Sequence, residues 1–243
     1  MHEALMQQVS AAVAQFWRTR DAQGRNQGHR TGQRDAGART AVTGGKQLDG
    51  FIHWICQLLH EADVPSDEIH VERRRTVLPG YFRPTKEWDL VVTLRGSLLA
   101  TIEFKSQVGP SFGNNFNNRT EEAIGSAHDL LIAYREGAFQ KSARPWLGYL
   151  MLLEDCPRSQ QTVCVGEPHF PVFNEFRDAS YCRRYQLLCK RLVRERLYDA
   201  ACFITSDRAG GHKGQFDEPD QEIGVRNFAA ALVAHASAHV RLN

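Results

Sequence analysis

The sequence contains no apolar run that approaches membrane-spanning length. It also lacks a basic N-terminal stretch followed by a continuous apolar segment. MHEALMQQVSAAVAQFW reads as an amphipathic helix rather than as a secretory signal peptide, and a cytoplasmic protein is the expectation. The C-x-x-C pattern is absent. Six cysteines (Cys56, Cys156, Cys164, Cys182, Cys189, Cys202) are scattered through apolar patterns and read as reduced, mostly buried thiols. Cys156, Cys164, His169 and Cys182 do not have the spacing of a zinc site. No G-x-x-x-x-G-K-[ST] string occurs, so a P-loop nucleotide site is excluded. Net charge is small, +2 overall.

What is present is ordinary globular material. Hydrophobic residues make up 42% and charged residues 24% of 243 positions, enough to bury a sizeable core without staples. The charge is unevenly spread. Residues 18–46 carry Arg18, Arg20, Arg25, Arg30, Arg34, Arg39 and Lys46 against Asp21 and Asp35. The stretch is glycine-rich and poor in large apolar residues. It reads either as a flexible basic arm suited to a polyanion or as a solvated loop.

Periodicity predicts a helix over 3–18, a second over LDGFIHWICQLLHEADV and a strand over 68–78. Two strands, EWDLVVTL and LLATIEFK, flank a turn at Arg95-Gly96-Ser97. VGPSFGNNFNNR then reads as a loop, with Asn118 and Thr120 capping a helix that runs to about Arg135. In that reading Glu121 and Glu122 are first-turn acids favoured by the helix dipole. A buried strand over 146–155, an irregular stretch over 156–178, a basic helix over 179–197, a strand over 199–207 and a helix over 225–240 complete the chain. The order predicts an α/β protein: one mixed central β-sheet flanked by helices, in a single domain spanning 1–243.

The chemistry gathers at TIEFKSQ (101–107). On a strand, Glu103 and Lys105 share one face while Ile102 and Phe104 face the core. A turn centred on Gly96 sets Asp89 opposite Glu103, with Lys105 one step along. The pair Glu103/Lys105 alone suits a strand-end salt link. With Asp89 it suits a magnesium site, because a hard cation relieves the repulsion of two carboxylates and the Phe104 carbonyl adds an oxygen ligand. Mg²⁺ can polarise a phosphate and acidify a water, while Lys105 orients or deprotonates that water or stabilises charge on the phosphate.

Asp89 followed by Glu103-Phe104-Lys105 resembles the PD-(D/E)xK nuclease signature, with Trp88 where the signature has proline. The stretches GGKQLDGF (44–51), EWDLVV (87–92), IEFKSQVGPSFGNNFNNRTEEAIGSAHDL (102–130) and RLYDAACFITSD (196–207) together resemble the XhoI-type type II restriction endonucleases. The resemblance covers roughly 44–207. It implies a restriction-endonuclease-like core and a bacterial cytoplasmic homodimer. It implies Mg²⁺-dependent cutting of both strands of a palindromic duplex such as CTCGAG, leaving 5′ extensions, beside a methyltransferase that protects the host. It implies that Asp89 and Glu103 ligate metal and that Lys105 is the third catalytic group. Asp49 is a candidate further acid or, equally, a helix N-cap. Glu87 ranks below it.

Asn114, Asn115, Asn117, Asn118 and Arg119 can read bases or bind phosphates, or can simply serve the turn. Gln107, on the Glu103 face, is a further candidate DNA contact, as are Arg208, His212 and Lys213. Three alternatives remain open at this stage: a repair or structure-specific nuclease with the same motif, a non-catalytic DNA-binding module, and a globular protein with no nucleic-acid role.

Overall fold

A computed structural model describes residues 2–31, 46–140 and 142–242. Its elements are α1 (His2–Thr31), α2 (Asp49–Glu61), β1 (Ile69–His70), β2 (Val77–Pro79), β3 (Thr85–Glu87), β4 (Leu90–Leu94), β5 (Ser97–Gln107), α3 (Phe112–Arg135), β6 (Trp146–Glu154), α4 (Pro157–Gln160), α5 (Tyr181–Arg194), β7 (Ala200–Ser206), α6 (Arg208–Gly211) and α7 (Val225–Leu242). Five strands form one sheet in the order β1-β4-β5-β6-β7. The β1, β4 and β5 pairings are antiparallel; β5, β6 and β7 run parallel. The sheet is therefore mixed, as the element order predicts.

The parallel half is apolar along its whole length. WLGYLMLL in β6 and AACFIT in β7 are buried on both faces, so no alternation survives. One face packs on α1, α2 and α7 through Phe16, Trp54, Ile55 and Phe228; the other packs on α3 and α5 through Ala127, Leu130, Tyr185 and Leu192. The β4–β5 turn is two residues long, with Arg95 and Gly96 both at positive φ (51° and 80°), the geometry that matches strand twist. The register at the far end is Leu90↔Ile102, as the hairpin estimate requires. The turn end is shifted by an irregularity beside Val92/Thr93.

Three expectations are corrected. The basic stretch 18–46 is not loop throughout: α1 continues to Thr31, and the remainder up to 45 lies outside the described residues. Trp17 and Phe16 anchor that helix in the core. Trp17 Nε1 also donates to Ser206 Oγ at 3.1 Å. The strand over 68–78 breaks in two. Only Ile69–His70 joins the main sheet, while Val77–Pro79 pairs with Thr85–Glu87 as a separate ribbon. Arg73, Arg74 and Arg75 are exposed, and the chain turns there through Arg75 N–H to Glu72 O (2.7 Å) rather than burying three guanidiniums in a sheet. The asparagine-rich loop is helix from Phe112 onward. Phe112, Phe116, Ala123, Ala127 and Leu130 make a stripe at helical spacing that outweighs the modest propensity of asparagine. Thr120 is no cap; it donates to Phe116 O within the helix. Glu121 and Glu122 thus sit well inside α3.

No helix among the described residues is long and apolar enough to cross a membrane.

Gly50 lies where α1 crosses α2, and a Cβ there would meet Ala12 Cα at 2.9 Å. Backbone cannot yield as a side chain does. Gly50→Ala is expected to cost about 1–3 kcal/mol of stability, read from the midpoint of a urea unfolding curve.

Candidate active site

The site forms where β4 and β5 open. Ile102 and Phe104 are buried against the α1/α2 face, which turns Glu103 and Lys105 to the opposite side. Leu90↔Ile102 pairing brings Asp89, just before β4, alongside them. Phe104 N–H donates to Asp89 Oδ2 at 2.7 Å. Glu103 is 6% exposed. Its Oε1 accepts from Lys105 Nζ, and its Oε2 accepts from Lys86 Nζ at 2.8 Å. Asp89, Phe104 and Lys105 line a cleft of about 440 Å³ together with Asp49, Glu87 and Arg119.

The electrostatics separate the three groups. Burial pushes the Asp89 carboxyl up to about 6, and the neighbouring Glu103 charge adds to it; Lys105, the Phe104 N–H and Lys86 pull the other way without cancelling it. Burial also opposes ionisation of Glu103, but its two lysines outweigh that and hold it below the usual carboxylate range. Lys105 is desolvated too, yet Glu103 and Asp89 hold its ammonium above its ordinary value. Lys105 is accordingly a cation here, fitted to stabilise charge on a phosphate rather than to take a proton.

The donors suit a hard divalent ion. Among the described residues no three His, Cys, Asp or Glu groups form a metal cluster. Two carboxylates and the Phe104 carbonyl would leave the remaining positions to water, as Mg²⁺ prefers. The Asp89 carboxyl is raised first by burial and then by the Glu103 charge, and a bound cation would offset both.

Other candidates are distributed unevenly. Leu48, not Asp49, occupies the N-cap of α2, so Asp49 is the first helical residue at the cleft edge. Partial burial raises its carboxyl despite Lys46. Glu87 is paired with the exposed Arg73 at 2.8 Å. Asn114, Asn117 and Asn118 are exposed on α3, and Asn115 is half-buried. Arg119 reaches the cleft while donating to Glu122 at 2.6 Å. Gln107 is buried and donates to Val108 O at 3.0 Å, so in this state its amide does not face a ligand. Arg208 and His212 do not line the cleft. Both pair with Asp21 of α1, at 3.3 and 2.7 Å. Lys213 is exposed near the N-terminal half of α1.

Sequence reading missed Lys86. It sits on β3, a ribbon strand that the expected run EWDLVVTL did not separate from β4. The available signal was Pro79-Gly80 followed by Arg83-Pro84, which marks a hairpin preceding the motif. A second overlooked string, G-P-S-F-G over 109–113, has nucleophile-elbow spacing and lies between β5 and α3. Ser111 is exposed, and no histidine hydrogen-bonds to it among the described residues, so a serine-hydrolase relay has no support.

A mixed sheet whose antiparallel corner gathers acids and a lysine has the plan of a restriction-endonuclease-like core, that is, of a phosphodiester-cleaving enzyme. The comparisons with known proteins agree. The family model described as restriction endonuclease XhoI matches residues 27–218. The chain is 50% identical over 214 residues to type II restriction enzyme BstVI of Geobacillus stearothermophilus, covering 86% of this chain and 95% of the relative. It is 47% identical over 182 residues to type II restriction enzyme XhoI of Xanthomonas vasicola (74% and 72%). It is 51% identical over 159 residues to type II restriction enzyme AbrI of Azospirillum brasilense (65% and 71%). No solved structure matches the chain significantly. The chain belongs to the XhoI family of type II restriction endonucleases, site-specific deoxyribonucleases that act on DNA. Enzymes of this kind generally use a divalent metal.

Asp89 makes the metal-free fold sensitive to pH. A carboxyl raised from 3.8 to about 6 adds stability below its unfolded value and loses it as pH climbs through 6. In EDTA at pH 8, Asp89→Asn is expected to stabilise the protein by up to about 3 kcal/mol relative to the parent. The advantage should vanish near pH 4, as followed by thermal unfolding across pH.

Proposed function

We propose that the chain is a Mg²⁺-dependent homodimer that cuts both strands of a CTCGAG duplex and leaves 5′ extensions. A cognate methyltransferase protects the same site in the host. The observation that carries the reading is the gathering of Asp89, Glu103 and Lys105 at the open end of the β4–β5 hairpin, where Asp89 and Lys105 line the cleft and the buried Glu103 accepts from Lys105.

The reaction is hydrolysis of a phosphodiester. Water adds to phosphorus, the bond to the 3′ oxygen breaks, and the products are a 5′ phosphate and a 3′ hydroxyl. Mg²⁺, held by Asp89, Glu103 and the Phe104 carbonyl, would supply the positive charge that polarises the phosphate and acidifies the water. Asp89 is oriented for ligation by the Phe104 N–H. Lys105 sets a cation beside the phosphate, where negative charge grows as the bond to the leaving oxygen lengthens. Asp49 stands at the cleft edge as a further acid.

DNA recognition falls to the start of α3. The exposed Asn114, Asn117 and Asn118 can pair bidentately with adenine, and Arg119 with guanine or a phosphate. Asn115 and Gln107 would have to turn outward to take part, and Arg208 and His212 would have to leave Asp21, whereas Lys213 is already exposed. A palindromic target calls for two copies related by a two-fold axis.

A plasmid carrying one CTCGAG site tests the proposal. The parent should linearise it in Mg²⁺ and leave it intact in EDTA. Glu103→Ala and Lys105→Ala should each slow cleavage by about 10³-fold or more. Cutting elsewhere would overturn the assigned target, and unimpaired cutting by either variant would overturn the assigned site.

A further inference from the structure

Glu103 has two carboxylate oxygens, and both are occupied. Lys105, from the motif itself, takes Oε1. Oε2 belongs to Lys86, which arrives from the separate β2–β3 ribbon. That ammonium is held from three sides. Its Nζ is 2.8 Å from Glu103 Oε2, donates to the Glu87 carbonyl at 2.9 Å and lies 4.2 Å from the centre of the Trp88 ring. The Lys86 side chain is only 12% exposed. This is a seat built for a cation rather than a chance surface pair.

We infer that Lys86 is a built-in competitor for the divalent ion, and that it must leave Glu103 before Oε2 can serve as a ligand. The inference rests on the reading of Glu103 as a metal ligand. The charge balance supports it. Among Asp89, Glu103, Lys86 and Lys105 themselves, two carboxylates, with Asp89 ionised, balance two ammoniums, and Arg119 adds a further cation at the cleft. A divalent ion added beside both lysines would leave two positive charges unmatched in a mostly buried site, which is costly. DNA supplies what is missing, because a phosphate entering the cleft beside Glu87 and Trp88, the two residues that hold the Lys86 ammonium, offers Lys86 a second anion. Withdrawal of Lys86 to the phosphate opens Oε2 to the metal. Linkage then works in both directions: DNA strengthens metal binding, and metal strengthens DNA binding by the same factor. The enzyme thereby favours arming its centre where a duplex is already seated.

Calorimetric titration with Ca²⁺ alone, on the full DNA-free chain, tests this. Lys86→Met keeps the apolar stem over Trp88 and removes the charge. It is expected to bind Ca²⁺ about tenfold tighter than the parent, within the usual range for competing ligands. Lys86→Arg, which retains a cation, should bind as weakly as the parent. On a fluorescent CTCGAG duplex, the tightening of DNA affinity by Ca²⁺ should shrink in Lys86→Met by a similar factor. If Lys86→Met does not fold, as judged by thermal unfolding, Lys86→Gln is read in its place. Unchanged Ca²⁺ affinity in the uncharged variant, with affinity lost in Glu103→Gln, overturns the competitor while leaving Glu103 a ligand. Unchanged affinity in Glu103→Gln overturns the assignment of the site itself.

Discussion

Two carboxylates forced together at the end of a hairpin are the constraint on which the rest of this structure depends. Glu103 is almost wholly buried and Asp89 partly so, and the Glu103 charge raises the cost of ionising Asp89. The fold answers with positive groups and donors drawn from different elements: Lys105 from the same strand, Lys86 from the ribbon and the Phe104 N–H from the hairpin backbone. The outcome is unequal. Glu103 holds its charge securely while Asp89 does not. An acid held above its ordinary range costs local stability at neutral pH, the kind of trade between stability and activity met at functional sites.

The sheet divides its labour along its width. Its parallel half, β5 to β7, is sealed on both faces and acts as a rigid base. Its antiparallel half, β1, β4 and β5, ends in polar groups that could not survive in the middle of such a base. β5 belongs to both. Its core-facing residues Ile102 and Phe104 lock it into the base, and that lock fixes where Glu103 and Lys105 point. A second set of ties holds the entrance. Arg20 donates to Gln47, which donates to Ser106, so α1, the approach to α2 and the end of β5 are fastened next to the cleft.

Helical structure at the start of α3 changes how the asparagines are presented. A loop would let Asn114, Asn115, Asn117 and Asn118 reorient independently. A helix gives them a fixed order around its axis, with three exposed and Asn115 partly covered. Stacking of Phe112 on Tyr181 and of Phe116 edge-on to Tyr185 holds that helix to α5. Preorganised polar side chains lose less freedom on meeting a duplex than mobile ones do.

The sequence by itself determined the sheet's core strands, the hairpin register at its open end and the gathering there of Asp89, Glu103 and Lys105. Each of these follows from local rules: continuous apolar runs, a two-residue turn, and side chains alternating across a strand. The family could be named from the same residues because its motif is carried on one hairpin. Tertiary structure alone decided the rest. Whether 112–118 coils or turns depends on where Phe112 and Phe116 find partners on α5. Whether Arg208 and His212 face a ligand or Asp21 depends on where α1 lies. That Lys86 reaches Glu103 depends on a ribbon folding back over the hairpin. In each case the deciding contact joins residues distant in sequence or carried on separate elements, and no periodicity within either segment encodes the other's position.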